Sequence, residues 1–145
     1  MDLQGKACLV TGSTKGIGFA VAESLAQAGA DVVVNSRSAA DVERVARELE
    51  HPSGGRVVGI AADVSKAEDC TKLVDSAATD LGRLDVLVNN AGVGIFGSIE
   101  DLSVEEWRTQ VDTNLLGVFA CSKAGIPYLK ATEGWIINVG SLACR

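Results

Sequence analysis

Five short apolar runs, at residues 7–10, 32–34, 57–61, 85–88 and 135–139, alternate with longer stretches at helical spacing. This alternation constrains the fold more than any other feature of the chain. The runs are rich in Val and Ile and are apolar at successive positions, not at every second one. A strand covered on both faces reads this way, whereas a strand with one wet face alternates. The order β-α-β-α-β-α-β-α-β, with right-handed crossovers, predicts an α/β fold built on a doubly wound parallel sheet of about five strands.

The helical stretches carry their own punctuation. Residues 16–28 place Ile17, Ala20, Val21, Ser24 and Leu25 on one side, and Gly29 follows as a C-terminal cap. Residues 40–49 alternate charge around Val42, Val45 and Leu49. Ser65 with Glu68, and Ser103 with Glu106, both have the spacing of a capping box, the second ahead of a long segment reaching about Lys130. Residues 51–55 read as a surface turn. The chain shows no tandem repeat and no Pro/Ser-rich linker, so residues 1–145 form one domain.

Composition narrows the function classes. The chain has 13 Lys and Arg against 19 Asp and Glu, a net charge of −6, which argues against nucleic acid as a partner. No apolar run approaches the roughly 20 residues that span a bilayer, so no membrane partner is expected. The four cysteines, Cys8, Cys70, Cys121 and Cys144, match neither a C-x-x-C pair nor a metal knuckle. Cys8 sits in an apolar run and reads as a small buried hydrophobe. A reduced, cytoplasmic location fits this usage. The single histidine, His51, stands beside Pro52 in the expected turn and suggests neither catalysis nor metal binding. With no cluster at ligand spacing, no metal is expected.

Four segments carry chemistry. Gly12, Ser13, Thr14, Lys15, Gly16, Ile17 and Gly18 follow the first predicted strand and open the first helix. Glycines there permit a tight turn and bring backbone close to a pyrophosphate, which a helix N-terminus stabilises. The spacing is G-x-x-x-G-x-G. At the end of the second strand stand Ser36 and Arg37. An acid at that place would bond the ribose 2′-hydroxyl of NAD, and an Arg would accept the 2′-phosphate of NADP. The acid is missing, and Lys15 offers a second positive charge, so the pattern favours NADP(H). Asp63-Val64, after the third strand, could meet an adenine amino group, or Asp63 could simply turn the chain. Asn89-Asn90-Ala91-Gly92, after the fourth strand, could hold neighbouring strands, and Asn90, Ala91 and Gly92 could also contact the cofactor.

Together, residues 11–18, Asp63, residues 89–92, Asn114 and the segment 136–141 resemble the classical short-chain dehydrogenases/reductases, in the family's order and spacing. The finer resemblance is to 3-oxoacyl-carrier-protein-reductase-like members. The resemblance implies a Rossmann-like cofactor domain. It also implies hydride transfer between NADP(H) and a small-molecule carbonyl or secondary alcohol. Ser141 matches the family's Ser that polarises the substrate carbonyl. Asn114 matches the Asn that supports a proton-relay water. A homo-oligomer, dimer or tetramer, is implied for the complete protein.

The family's acid/base pair, Tyr-x-x-x-Lys, should follow Ser141 and falls beyond Arg145. The one tyrosine, Tyr128, has a Lys two residues on instead of four, which puts the two on different helix faces. Tyr128 therefore reads as a helix-surface or packing residue. On this reading residues 1–145 are an NADP-binding Rossmann domain incomplete at its C-terminus, the first part of a longer enzyme. The alternative is a shortened, non-catalytic NADP-binding or interaction module. A methyltransferase-like nucleotide binder would need an acid after the second strand, against Ser36-Arg37. Residues 95–99 are expected to line one apolar wall of the substrate pocket.

Overall fold

The computed structural model describes residues 3–50 and 54–141. The chain runs β1 (Ala7–Val10), α1 (Gly16–Gln27), β2 (Asp31–Ser36), α2 (Ala39–Leu49), β3 (Val57–Ala61), α3 (Ala67–Leu81) and β4 (Val86–Asn89). Then come α4 (Val104–Val111), a π-helical turn (Asp112–Leu116), α5 (Gly117–Thr132) and β5 (Trp135–Asn138). The five strands form one sheet in the order β3-β2-β1-β4-β5, and every neighbouring pair is parallel. This is the doubly wound α/β sheet that the alternation of runs predicts. The strand order reverses between β1 and β4.

Successive strand residues feed opposite cores. Cys8, Val10, Val32 and Val34 pack with Ala22, Ala26, Val42 and Val45 under α1 and α2. Leu9, Val33 and Leu87 pack with Leu73, Val74, Cys121 and Leu129 under α3 and α5. Both faces of the inner strands are dry, which is why their sequences are apolar throughout. Cys8, Cys70 and Cys121 are buried and free. Burial, with the charges of Asp85 and Asp31, pushes the Cys8 thiol up to about 12, as suits a packed hydrophobe.

The structure departs from the sequence pattern at α1, α3 and β5. The inward face of α1 is the small-residue row Gly18, Ala22 and Ala26, flanked by Phe19, Val21 and Leu25. Ile17, Ala20 and Ser24 are exposed. The helix lies close on the sheet, and only small side chains fit beneath it. Ser65 makes no capping box; its hydroxyl donates to Asp63 Oδ1 at 2.7 Å and the helix begins after Lys66. An Asx turn has taken the hydroxyl that would have capped α3. The Ser103–Glu106 box does form. β5 is not covered on both faces: it is an edge strand, and Trp135 is 72% exposed. Of the expected turn at residues 51–55, residues 51–53, and with them His51 and Pro52, lie outside the described residues, as does Cys144.

Below the sheet, at the amino ends of β1 and β4, Asp85 is buried and gathers three partners. Arg83 reaches both its oxygens at 2.7 Å, Lys6 Nζ lies 3.1 Å away, and the Ala7 N–H donates at 3.0 Å. Burial alone would raise this carboxyl. The Arg83 hydrogen bonds, the Ala7 amide and Lys6 outweigh it and hold the group below the ordinary carboxylate value. The cluster pins Lys6 and Arg83, which flank the two strands, to one another.

Candidate functional site

At the carboxyl ends of the strands, over the point where strand order reverses, lies a cleft of about 520 Å³. Open parallel sheets place ligands there, and the volume suits a small organic molecule. The glycine turn, the end of β2 (Asn35, Ser36, Arg37), Ala62 and Val64 after β3, and Asn90, Ala91, Gly92 and Val93 after β4 line it, with Thr113 from the π turn.

The glycines shape the floor. Gly12 and Gly16 have φ of 62° and 58°, left-handed values that side chains rarely take. A Cβ on Gly12 would come 2.7 Å from the Ala91 Cα, and one on Gly18 would strike the Asn90 side chain and the Gly12 carbonyl. A Cβ on Gly16 would meet no protein atom within 4 Å. Gly12 and Gly18 thus serve close packing of backbone, and Gly16 keeps the left-handed turn at the cleft. No side chain caps α1 and no acid stands in its first turn, so its amino end presents positive potential unopposed from within the helix.

A second layer holds this backbone. Thr11 is buried, and its Oγ1 accepts from the Asn90 and Ala91 N–H groups, both at 3.0 Å. Asn90 Nδ2 donates back to the carbonyls of Thr11 and Gly12, both at 3.0 Å. Asn35 accepts from the Gly12 N–H and donates to the carbonyls of Ile60 and Ala62. Asn89 Nδ2 reaches Asn138 Oδ1 at 2.8 Å and Ser122 Oγ at 3.1 Å, tying β4 to β5 and α5.

The residues singled out from the sequence divide by where they point. Gly12, Thr14, Lys15, Gly16, Ile17, Gly18, Ser36, Arg37, Val64, Asn90, Ala91 and Gly92 all line the cleft. Ser13 does not: it is fully buried, and its hydroxyl donates to the Val10 carbonyl at 2.7 Å while accepting from the Asn35 N–H at 2.9 Å. The Asp63 carboxylate takes the Ser65 amide and hydroxyl. Burial would raise that carboxyl, but these hydrogen bonds, with the charges of Lys66 and Arg37, hold it below the ordinary value. Asn114 sits in the π turn at the cleft's edge. Its Oδ1 accepts from the Val93 N–H at 2.9 Å and its Nδ2 donates to the Val93 carbonyl at 2.8 Å. Ser141 is exposed beyond the end of β5 and does not line the cleft. Phe96 and Ile99, expected at an apolar wall, are 84% and 89% exposed. Tyr128 faces α3 and donates to Asp75 Oδ1 at 2.8 Å, away from the cleft.

Sequence reasoning missed Asn35, Ala62, Val93 and Thr113 as lining residues. For Asn35 a signal was present: an amide at the end of a Val-rich strand is buried polar, and a buried amide must be holding something.

The family pattern described as short chain dehydrogenase matches residues 6–145. The chain belongs to the short-chain dehydrogenase family. An uncharacterised oxidoreductase of Methylorubrum extorquens is 43% identical over 97% of this chain, and glucose 1-dehydrogenase 2 of Bacillus subtilis is 38% identical over 97%. The chain spans 56% of the length of each of these curated relatives. Among solved structures, a short chain dehydrogenase from Burkholderia cenocepacia in complex with NADP superposes with a TM-score of 0.91 at 37% identity, over 98% of this chain and 58% of that one. As in other members of the short-chain dehydrogenase family, the fold is a parallel sheet flanked by helices.

Proposed function

We propose that residues 1–145 are the NADP(H)-binding domain of an oxidoreductase that moves a hydride between NADP(H) and a carbonyl or secondary alcohol. The observation that carries the reading is the rim of the cleft. Arg37 and Lys15 stand there as its cations, and no carboxylate occupies the end of β2. A ribose 2′-phosphate is favoured by that charge and by the forked geometry of a guanidinium. The NADP complex of the Burkholderia cenocepacia relative supports it.

The cleft suits such a cofactor on its own evidence. Gly16 has no side chain to enter the space above the turn, and the uncapped amino end of α1 favours a diphosphate. Arg37, Lys15 and Ser36 would hold the 2′-phosphate. Val64 would flank the adenine, and Asn90, Ala91 and Gly92 would form the opposite wall. When bound, the cofactor supplies or accepts the hydride. The chain's own part is to orient it, keep water from its diphosphate and steady the reacting end. Asn114 holds the backbone at Val93, and Ser141, which stands past the end of β5 outside the cleft lining, would polarise a substrate carbonyl by its match to the family's Ser. Calorimetric titration with NADPH and NADH tests the reading. NADPH is expected to bind at least about tenfold more tightly, the effect of one charge-assisted hydrogen bond. Equal affinities would overturn the cofactor assignment.

A further inference from the structure

We infer that Asn35 is a positioning residue that sets the glycine turn against the ends of β2 and β3, and through it the seat of the diphosphate. The consequence for binding rests on the function proposed above; the positioning itself stands on geometry. Asn35 is 1% exposed although it borders the cleft. Its one carboxamide joins three segments. Oδ1 accepts from the Gly12 N–H at 3.3 Å, and Nδ2 donates to the Ile60 carbonyl at 3.1 Å and the Ala62 carbonyl at 3.3 Å. Its backbone grips the next residue of the turn: the Ser13 N–H donates to the Asn35 carbonyl at 2.8 Å, and the Asn35 N–H donates to Ser13 Oγ at 2.9 Å.

The chemistry requires an amide. One acceptor and two donors must sit on a short, planar group, which Asn provides; Gln is a methylene too long and Asp has no donor. An aspartate here would also direct negative charge at two carbonyl oxygens. On the other flank the turn is already fixed. A Cβ on Gly12 would come 2.7 Å from the Ala91 Cα, so the chain has no room to move toward β4, and Asn90 Nδ2 holds the Gly12 carbonyl at 3.0 Å. Gly12 is thus gripped at its C=O from β4 and at its N–H from β2. It leads within four residues into α1, whose first N–H groups no side chain caps. Where Gly12 sits therefore decides where those groups aim. The Ala62 carbonyl, which borders the cleft after β3, lies on the same carboxamide's far side, so one residue sets the spacing between the glycine turn and the β3 end of the cleft.

The test uses Asn35→Ala, with Asn35→Ser as a second variant that retains one hydroxyl. Amide hydrogen exchange is followed at Gly12 in the ligand-free protein, with Leu9 and Val33, buried at the centre of the sheet, as references for global opening. In N35A the Gly12 amide is expected to exchange about tenfold faster relative to both references, and the Kd for NADPH to rise about tenfold. Gly12 exchange that changes only in step with Leu9 and Val33 overturns the inference, since Asn35 would then be an ordinary core residue. So does a faster Gly12 with unchanged NADPH affinity. If neither variant folds, Asn35 belongs to the core and the inference is likewise overturned. A parent protein that binds no NADPH refutes the cofactor reading instead, and the Gly12 exchange ratio then decides the positioning by itself.

Discussion

Arg37 and Lys15 are the only cations among the described residues that line the cleft. Arg37 sits in a turn already fixed by its neighbours: the Ser38 N–H donates to Ser36 Oγ at 3.2 Å, and Ser38 caps α2. Arg37 lines the cleft, and no hydrogen bond or ion pair among the described residues engages its guanidinium. Arg37→Ala is therefore expected to leave the unfolding midpoint unchanged while weakening NADPH by roughly ten- to a hundredfold, with NADH hardly affected. Parallel losses for the two cofactors in a titration would show that Arg37 contacts something other than the 2′-phosphate. Asp85 has the opposite profile, far from the cleft and important to stability. Its carboxyl is held below the ordinary value in the fold, so its stabilisation is present above the unfolded value, near 4, and is lost as pH falls through the lower folded one. Asp85→Asn should cost about 1–3 kcal/mol at pH 7, from the loss of charged hydrogen bonds at a buried site. By pH 3 the gap between parent and variant in urea midpoint should have narrowed; a gap unchanged between the two pH values would contradict this account.

The π turn between α4 and α5 is the element that decides how the cleft's edge is made. The extra residue in the turn lets Asn114 bond both the N–H and the carbonyl of Val93, as a neighbouring strand would. An amide can do this because it is donor and acceptor at once. Asn114→Ala is expected to cost about 1–2 kcal/mol in denaturant unfolding, two hydrogen bonds' worth, and to speed amide exchange at Val93. Protection at Val93 equal to that of the parent would mean that the loop is held by other contacts. α4 owes its start to the reciprocal Ser103 and Glu106 bonds, 3.2 Å and 2.9 Å, and it contributes no buried residue to the core.

At the scale of the molecule the two sides of the sheet differ. The β3, β2 and β1 side is closed by α1, α2 and α3. The β5 side leaves Ile137 at 50% and Trp135 at 72% exposed, and Phe119 on α5 and Leu115 in the π turn are also exposed. An uncovered apolar edge strand offers both its side chains and its unpaired backbone to another chain. Residues 1–145 expressed alone are expected to self-associate in light scattering, and Trp135→Lys to reduce that association. The same preparation should oxidise no NADPH with ketones. Among the described residues that line the cleft there is no Tyr, His, Asp or Glu to give an alkoxide its proton, and general acid catalysis contributes about 10²–10⁴ in rate. Turnover by residues 1–145 would show that Ser141 and Asn114 suffice.

The strands and most of the helices were legible in the order of residues alone. Ala7–Val10 and Val57–Ala61 coincide with their apolar runs, and the Ser103 box marks the start of α4. The glycine turn and Arg37 were legible because turns and charges act over a few neighbouring residues, and those neighbours are in the string. Tertiary structure decided which face of α1 is inward, because the distance from helix to sheet, not the helical period, selects Gly18, Ala22 and Ala26. It gave the Ser65 hydroxyl to Asp63 instead of α3, left β5 at an edge, and opened the helix into a π turn at Asn114. It also turned Ser13 inward and set Asn35 to join Gly12, Ile60 and Ala62, residues 23 to 27 positions away in the chain. A buried polar group takes whichever partners the packed chain brings within about 3 Å, and that meeting is fixed only once the strands have paired.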